Sequence, residues 1–232
     1  DGASFKFDNI LPTPGDSFKI CLGRGMTNAR PRFDMFGPAY AEDTSKTKDI
    51  DMYGFIFVPY DNGQYSVATN LARADHLIGF SGADMSTFQT AYLDYYYGMS
   101  GGTPHGADEL AAMMAAVPNF KDFGSIDLAT AMFKAEGIGS GISPALDDTK
   151  FFASWAMSKT HPKNGMAMLG ETESKTGSSI WIGLNAPCPF TEDGRWGIEW
   201  NKGSKYWRPV TYGEDTMAGS KIAARGTAWE AY

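Results

Sequence analysis

The sequence is poor in the residues that most often carry chemistry. It has two cysteines and three histidines in 232 residues. Cys21 and Cys188 stand too far apart for a metal-binding spacing, which leaves two readings, one disulfide or two free thiols. His76, His105 and His161 have no neighbour at metal-ligand or triad spacing and read as loop or surface residues. No Gly-x-Ser-x-Gly, HExxH, Walker or EF-hand pattern occurs. The expectation is a protein with no catalytic residues, no cofactor and no bound metal.

Other absences narrow the class. No apolar run approaches the ~18 residues a membrane helix needs. A membrane β-barrel remains open, because its strands of roughly 9–11 residues need only alternate. Basic residues are not in excess: the formal charge is −7 and the isoelectric point about 4.9, which argues against an extended nucleic-acid surface. With 20% charged and 43% hydrophobic residues the chain is no disordered tail, and it is long enough for a sizeable core. There is no signal peptide and no initial Met, and both ends fall in patterned sequence, so a piece of a longer protein, incomplete at both ends, is expected.

What the chain does have is aromatic residues, at 14%, and 27 glycines, a composition of strands and turns. The stretch 195–232 is the most informative. Its first run, Trp196-Gly197-Ile198-Glu199-Trp200-Asn201, sets Trp196, Ile198 and Trp200 on one side and Gly197, Glu199 and Asn201 on the other, and a second run follows at 223–232. In a soluble sandwich the oily side packs on a second sheet; in an outer-membrane barrel it meets lipid.

The same period recurs along the chain. Strands are predicted at 17–24, 51–60, 64–75, 125–134, 151–160 and 176–185. With the two C-terminal runs this makes about eight. Asp61-Asn62-Gly63 marks a tight hairpin and Asp193-Gly194 another turn, whereas 26–47 reads as a long loop. The arm after the first turn has a face of Gln64, Ser66, Ala68 and Asn70, poor as a protein core and suited to a watery lumen. Met113 and Met114 lie in a short helix over 107–117, stopped at Pro118; the Tyr-rich 84–98 fits either a helix or an aromatic strand. The glycines at 137–141 lack the spacing and following helix of a dinucleotide loop and read as a turn. Hairpins therefore alternate with long connections, as in a membrane barrel. The fold class expected is all-β, an antiparallel up-and-down barrel or part of one over 1–232, with a helical insert at about 84–118.

Particular residues also carry a family resemblance. The segments 180–184 and 197–207, with Ser220-Lys221, Arg225-Gly226 and Glu230-Ala231-Tyr232, resemble the DUF3373 family of porin-like bacterial proteins, as do Val58-Pro59-Tyr60 and Ser158-Lys159-Thr160-His161-Pro162. The similarity runs over most of 15–232 and is densest after Phe151. It implies a barrel in the outer membrane of a Gram-negative bacterium, porin-like, and brings no catalytic residues with it.

In such a barrel Gln64, Asn70, Glu199, Asn201 and Arg225 are expected to line the pore, and Tyr60, Tyr65, Trp196 and Trp200 to face lipid or its interfaces. The expected partners are outer-membrane lipid, lipopolysaccharide and small solutes, with no nucleic acid; Lys202, Lys205 and Arg208 read first as an ordinary solvated loop, and second as a loop near lipopolysaccharide phosphates. The competing readings are a soluble carbohydrate-active sandwich, with Trp181, Trp196, Trp200, Trp207 and Trp229 near Glu199 and Glu230 as a hydrolase's cleft, and a non-enzymatic module with Tyr206, Trp207 and Trp229 stacking on a sugar.

Overall fold

Period-two patterning becomes one continuous sheet. The computed structural model describes residues 2–25, 48–118, 121–139, 141–191, 193–209 and 221–232. Nine antiparallel strands lie side by side in chain order: β1 (Gly2–Asp8), β2 (Ser17–Gly25), β3 (Ile50–Asp61), β4 (Tyr65–Gly79), β5 (Lys121–Glu136), β6 (Lys150–Pro162), β7 (Thr176–Pro187), β8 (Arg195–Gly203) and β9 (Gly226–Ala231). The up-and-down meander is as expected, with one strand more than the eight counted. The addition is β1, where Ala3, Phe5 and Phe7 alternate with Ser4, Lys6 and Asp8 and pair with Leu22, Ile20 and Phe18. β1 and β9 each have one neighbour, so among the described residues the sheet is open.

Connections differ at the two ends of the strands. The links β1–β2, β3–β4, β5–β6 and β7–β8 join strands at one end, and the links β2–β3, β4–β5, β6–β7 and β8–β9 join them at the other. The first set is shorter in sequence than the second, except that β5–β6 and β6–β7 are of equal length. The tightest turn holds Gly63 at φ 84°, where a side chain would be strained, and Asn62 Oδ1 accepts from the backbone N–H of Gln64 (3.0 Å) and Tyr65 (2.7 Å). The loop 26–47 lies outside the described residues.

Three shifts adjust the register, one in the β3–β4 pairing and two in the β4–β5 pairing, the last between Leu77 and Ile78. Between Phe57 and Tyr60 the β3–β4 pairing shifts, and Pro59, which has no N–H to give a ladder, sits inside the shift. Between Ala74 and Leu77 the β4–β5 pairing shifts at His76, held at φ 59°.

The Tyr-rich segment resolves as a helix. α1 (Gly82–Tyr97) starts at Ser81, whose Oγ accepts from Asp84 N at 3.1 Å, and stops at the left-handed Gly98 (φ 62°). α2 (Ala107–Ala115) follows, and neither helix has a buried residue. Their hairpin is pinned by Tyr92 on Tyr96 (4.5 Å), His105 against Tyr95 (5.3 Å) and the Lys121–Asp84 ion pair (2.6 Å). The glycine run at 137–139 is a turn leading to a short helix, α3 (Pro144–Asp147). The last predicted run begins late, since a 3₁₀ turn (Lys221–Ala223) precedes β9. Both cysteines are free.

Residues opposite one another in an antiparallel ladder share a face, so the pairings sort every side chain. One face collects Phe5, Phe18, Ile20, Tyr53, Phe55, Val67, Leu71, Phe133, Trp155, Ile182, Ile198 and Trp229. The other collects Ser66, Asn70, Thr130, Ser154, Ser158, Ser179, Glu199 and Asn201. Burial is the inverse of a soluble protein's. On the apolar face Phe55 is 42% exposed and Trp155 43%, whereas on the polar face Ser158 is 0% and Asn201 2% exposed. Among the described residues there is no second sheet for the apolar face to pack against, which leaves the sandwich reading without its other half.

Candidate solute pathway on the polar face

Side chains from five successive strands, Asn70, Thr130, Ser154, Ser179 and Asn201, line one cavity of about 280 Å³, so the sheet curls around its polar face. The wall alternates small and polar residues because glycine and serine leave room for what crosses over them. A Cβ at Gly183 would meet the Phe152 ring at 2.3 Å, and one at Gly177 would meet the backbone of Tyr206 and Trp207 at 2.2 Å.

That second contact is the seat of an infolded loop. Residues 204–209 leave β8 and lie back over the polar face. Ser204 N donates to Ser178 O (2.8 Å), Ser178 N to Ser204 Oγ (2.9 Å) and Arg208 N to the fully buried Ser158 Oγ (3.0 Å). Trp207, 6% exposed, is pushed into the cavity with its Nε1 donating to Ile222 O at 2.8 Å. Tyr206 clasps the neighbouring loop, its hydroxyl donating to Glu171 Oε1 at 2.6 Å. That hydrogen bond, aided by the charges of Lys175 and Lys205, holds the Glu171 carboxyl below its ordinary value. A second cavity, about 400 Å³, opens at the long-connection end between Phe80, Phe123, Ile126, Leu169 and Arg208.

Three of the five residues expected to line a pore stand on this face. Asn70 and Asn201 border the cavity, and Glu199, 8% exposed, lies between β7 and β9. Its carboxylate accepts from Trp181 Nε1 (2.8 Å) and Tyr232 Oη (3.2 Å), and Glu230 is its partner across the ladder. The other two stand outside the strands. Gln64 is in the tight turn, where its amide donates to Gly137 O (2.9 Å), and Arg225 is in an exposed bend before β9. Both sit one residue outside a strand, where alternation no longer fixes a direction.

The aromatics Tyr60, Tyr65, Trp196 and Trp200 all project from the apolar face. Tyr60, Tyr65 and Trp196 lie at the short-turn end, in one row with Phe7, Phe18, Phe133 and Phe151. Ala135 is 1% exposed beneath that row. Trp200 lies farther along, beside Trp229 (6.2 Å). At the long-connection end the same face turns charged, through Arg24, Asp51, Arg73, Asp127, Lys159 and Lys202. Lys202 is thus in β8 rather than in a loop. Arg24 grips Asp51 with two nitrogens (2.6 and 3.1 Å), and Arg73 bridges Asp75 (2.9 Å), Asp127 (2.8 Å) and Ser125 (2.9 Å).

Folding gives two of the histidines carboxylate partners that sequence spacing did not reveal. His76 Nδ1 lies 3.1 Å from Asp122 and His161 Nε2 lies 2.6 Å from Asp127. Ser125 faces His161 across the ladder, but its hydroxyl accepts from Arg73 and no hydrogen bond joins it to the imidazole among the described residues, so the relay of a hydrolase is not assembled. No group of three metal-ligating side chains occurs among the described residues.

A protein-family profile described as "Protein of unknown function (DUF3373)" matches residues 1–232, the whole chain. The chain belongs to the DUF3373 family. No curated protein and no solved structure matches it. Within this DUF3373 chain the sequence did not single out Trp181, Ser179 and Thr130 as pore-lining residues. The signal for Trp181 was present, since one large ring stands among Gly177, Ser179 and Gly183 in the polar phase of β7. Trp207 carried no such signal, because its burial depends on contacts across the sheet.

Proposed function

We propose that this DUF3373 chain forms part of the wall of an outer-membrane β-barrel of porin type, which passes small solutes or ions by diffusion and performs no catalytic step. The observation that carries this reading is the inverted distribution: every strand exposes a large apolar residue on one face, and from β4 to β8 the other face holds Asn70, Thr130, Ser154, Ser179 and Asn201. Exposed apolar surface of this continuity marks a lipid or protein contact, and its boundaries favour lipid. From Phe151 to Lys159 a strand rises roughly 26 Å. At a tilt of about 40° that becomes about 20 Å along a barrel axis, near the ~25 Å apolar band of outer-membrane barrels.

On this reading the aromatic row at the short turns lies at the periplasmic interface and the charged row at the long connections at headgroup level, where Lys159 and Lys202 meet lipopolysaccharide phosphates. Glu199 and Glu230 set a negative field along the pathway. The loop 204–209 narrows it.

The test uses the full-length protein in its own cells. Membrane fractionation together with a gel shift on boiling is expected to give a membrane-bound, heat-modifiable band, and the purified protein is expected to raise the conductance of a planar bilayer. A soluble protein with no shift would remove the reading.

A further inference from the structure

We propose that the cavity beneath Trp207 is a binding subsite for a neutral polyhydroxylated solute of monosaccharide size. This deepens the porin reading and rests on it for the solute's route of entry, though binding itself needs only the cavity. The carrying observation is Asn201. Its side chain is 2% exposed and borders the cavity; its Nδ2 donates to Ser179 Oγ at 3.2 Å, while its Oδ1 has no hydrogen-bond partner among the described residues. A buried carbonyl oxygen without a donor is costly, at about 1–3 kcal/mol. A molecule bringing a hydroxyl or N–H into the cavity relieves that cost.

The rest of the lining specifies the class. Among the described residues no lining residue is charged, which gives no counter-ion there for a carboxylate, phosphate or ammonium group, whose desolvation would go uncompensated. Thr130, Ser154 and Asn70 add hydroxyl and amide groups on the opposite strands. The two indoles, Trp181 and Trp207, have both given their N–H away, to Glu199 and to Ile222 O respectively, so each offers the cavity carbon surface. Trp181 is further set by the Phe152 ring at 4.6 Å. Pre-set aromatic carbon with a few converging polar atoms suits a ring that is apolar on its C–H faces and hydroxylated at its edge. The volume of about 280 Å³ falls just below the roughly 300–1,000 Å³ range of sites for larger ligands, which suits one small ring.

The experiment titrates full-length protein in planar bilayers and in detergent with glucose, mannitol and, as charged controls, gluconate and glucosamine. The expected result is a saturable fall in ion current, matched by saturable quenching of tryptophan emission, with glucose or mannitol but not with either control. Asn201→Ala is expected to weaken binding about tenfold while keeping the heat-modifiable band, the equivalent of one lost hydrogen bond. Asn70→Leu, which fills the cavity from the far wall, is to do the same if Asn201→Ala does not fold. Quenching without any conductance would uphold the subsite while removing the porin reading. Conductance with no saturable response to glucose or mannitol, an equal response to the charged controls, or undiminished binding in both variants would overturn it.

Discussion

The two faces of the sheet are made by the same strands, one residue apart, and obey opposite rules. On the outer face Phe55, Trp155, Ile182 and Trp229 are exposed, and the small buried residues of the aromatic row, Ala135 and Ala186, lie beside Tyr65, Phe151 and Trp196. On the inner face Ser158, Thr160 and Asn201 are almost wholly buried, and hydrogen bonds join ring contacts such as Phe152 on Trp181 in holding that surface together. A soluble sheet would hide the first and wet the second. On the proposed reading, the difference means an apolar solvent at the outer face and water or a hydroxylated solute at the inner one.

The sharpest way to break the comparison is a matched pair of charges. Ile182→Arg places a guanidinium in the middle of the apolar face, and its unfolding free energy in lipid vesicles should fall by about 2–4 kcal/mol. Ser154→Arg, on the other face, should cost less than about 1 kcal/mol and change ion selectivity instead. Equal losses would mean that the faces do not differ. Next in size is Glu199→Lys. It leaves Trp181 Nε1 and Tyr232 Oη without their carboxylate and should cost about 1–3 kcal/mol. The bilayer reversal potential should move toward anion preference, and unchanged selectivity would take Glu199 out of the pathway.

Gly177→Ala touches no charge. Its Cβ has no room against the backbone of residues 206 and 207, so the loop must lift, at about 1–2 kcal/mol, and single-channel current should rise. The smallest effect concerns the clasp between Tyr206 and Glu171. Because the folded state lowers the Glu171 pKa, the clasp's stabilisation is present above the ordinary carboxylate value of 4.5 and is lost as pH falls through the lowered one. Current through the wild-type protein should therefore rise modestly on acidification below that value, and Tyr206→Phe should abolish the dependence.

The faces were legible in the sequence because a strand repeats every second residue: the phases predicted at 151–160 and 176–185 are those of β6 and β7. β1 showed the same alternation but was too short to be counted. The helical insert was legible only in part. α1 packs none of its residues into a core, and a helix that covers nothing leaves no apolar stripe to find, so Tyr95-Tyr96-Tyr97 looked equally like a strand. Asn70, Glu199 and Asn201 share the polar face because they sit inside strands, where alternation fixes a direction, while Gln64 and Arg225 lie one step past a strand end. The loop seat escaped notice because it depends on Gly177 meeting residues 206 and 207, a contact between chain segments that no local pattern encodes.

The most direct test of two solvents on one strand is a spin-label scan of residues 151–158 in β6, in lipid vesicles, with Cys21 and Cys188 replaced. The account predicts a two-residue alternation. Labels at 151, 153, 155 and 157 should be relaxed by lipid-dissolved oxygen, and labels at 152, 154 and 156 by a water-soluble nickel chelate, with the two profiles out of phase. Labels at both sets of positions relaxed by the water-soluble reagent, or profiles without alternation, would contradict it.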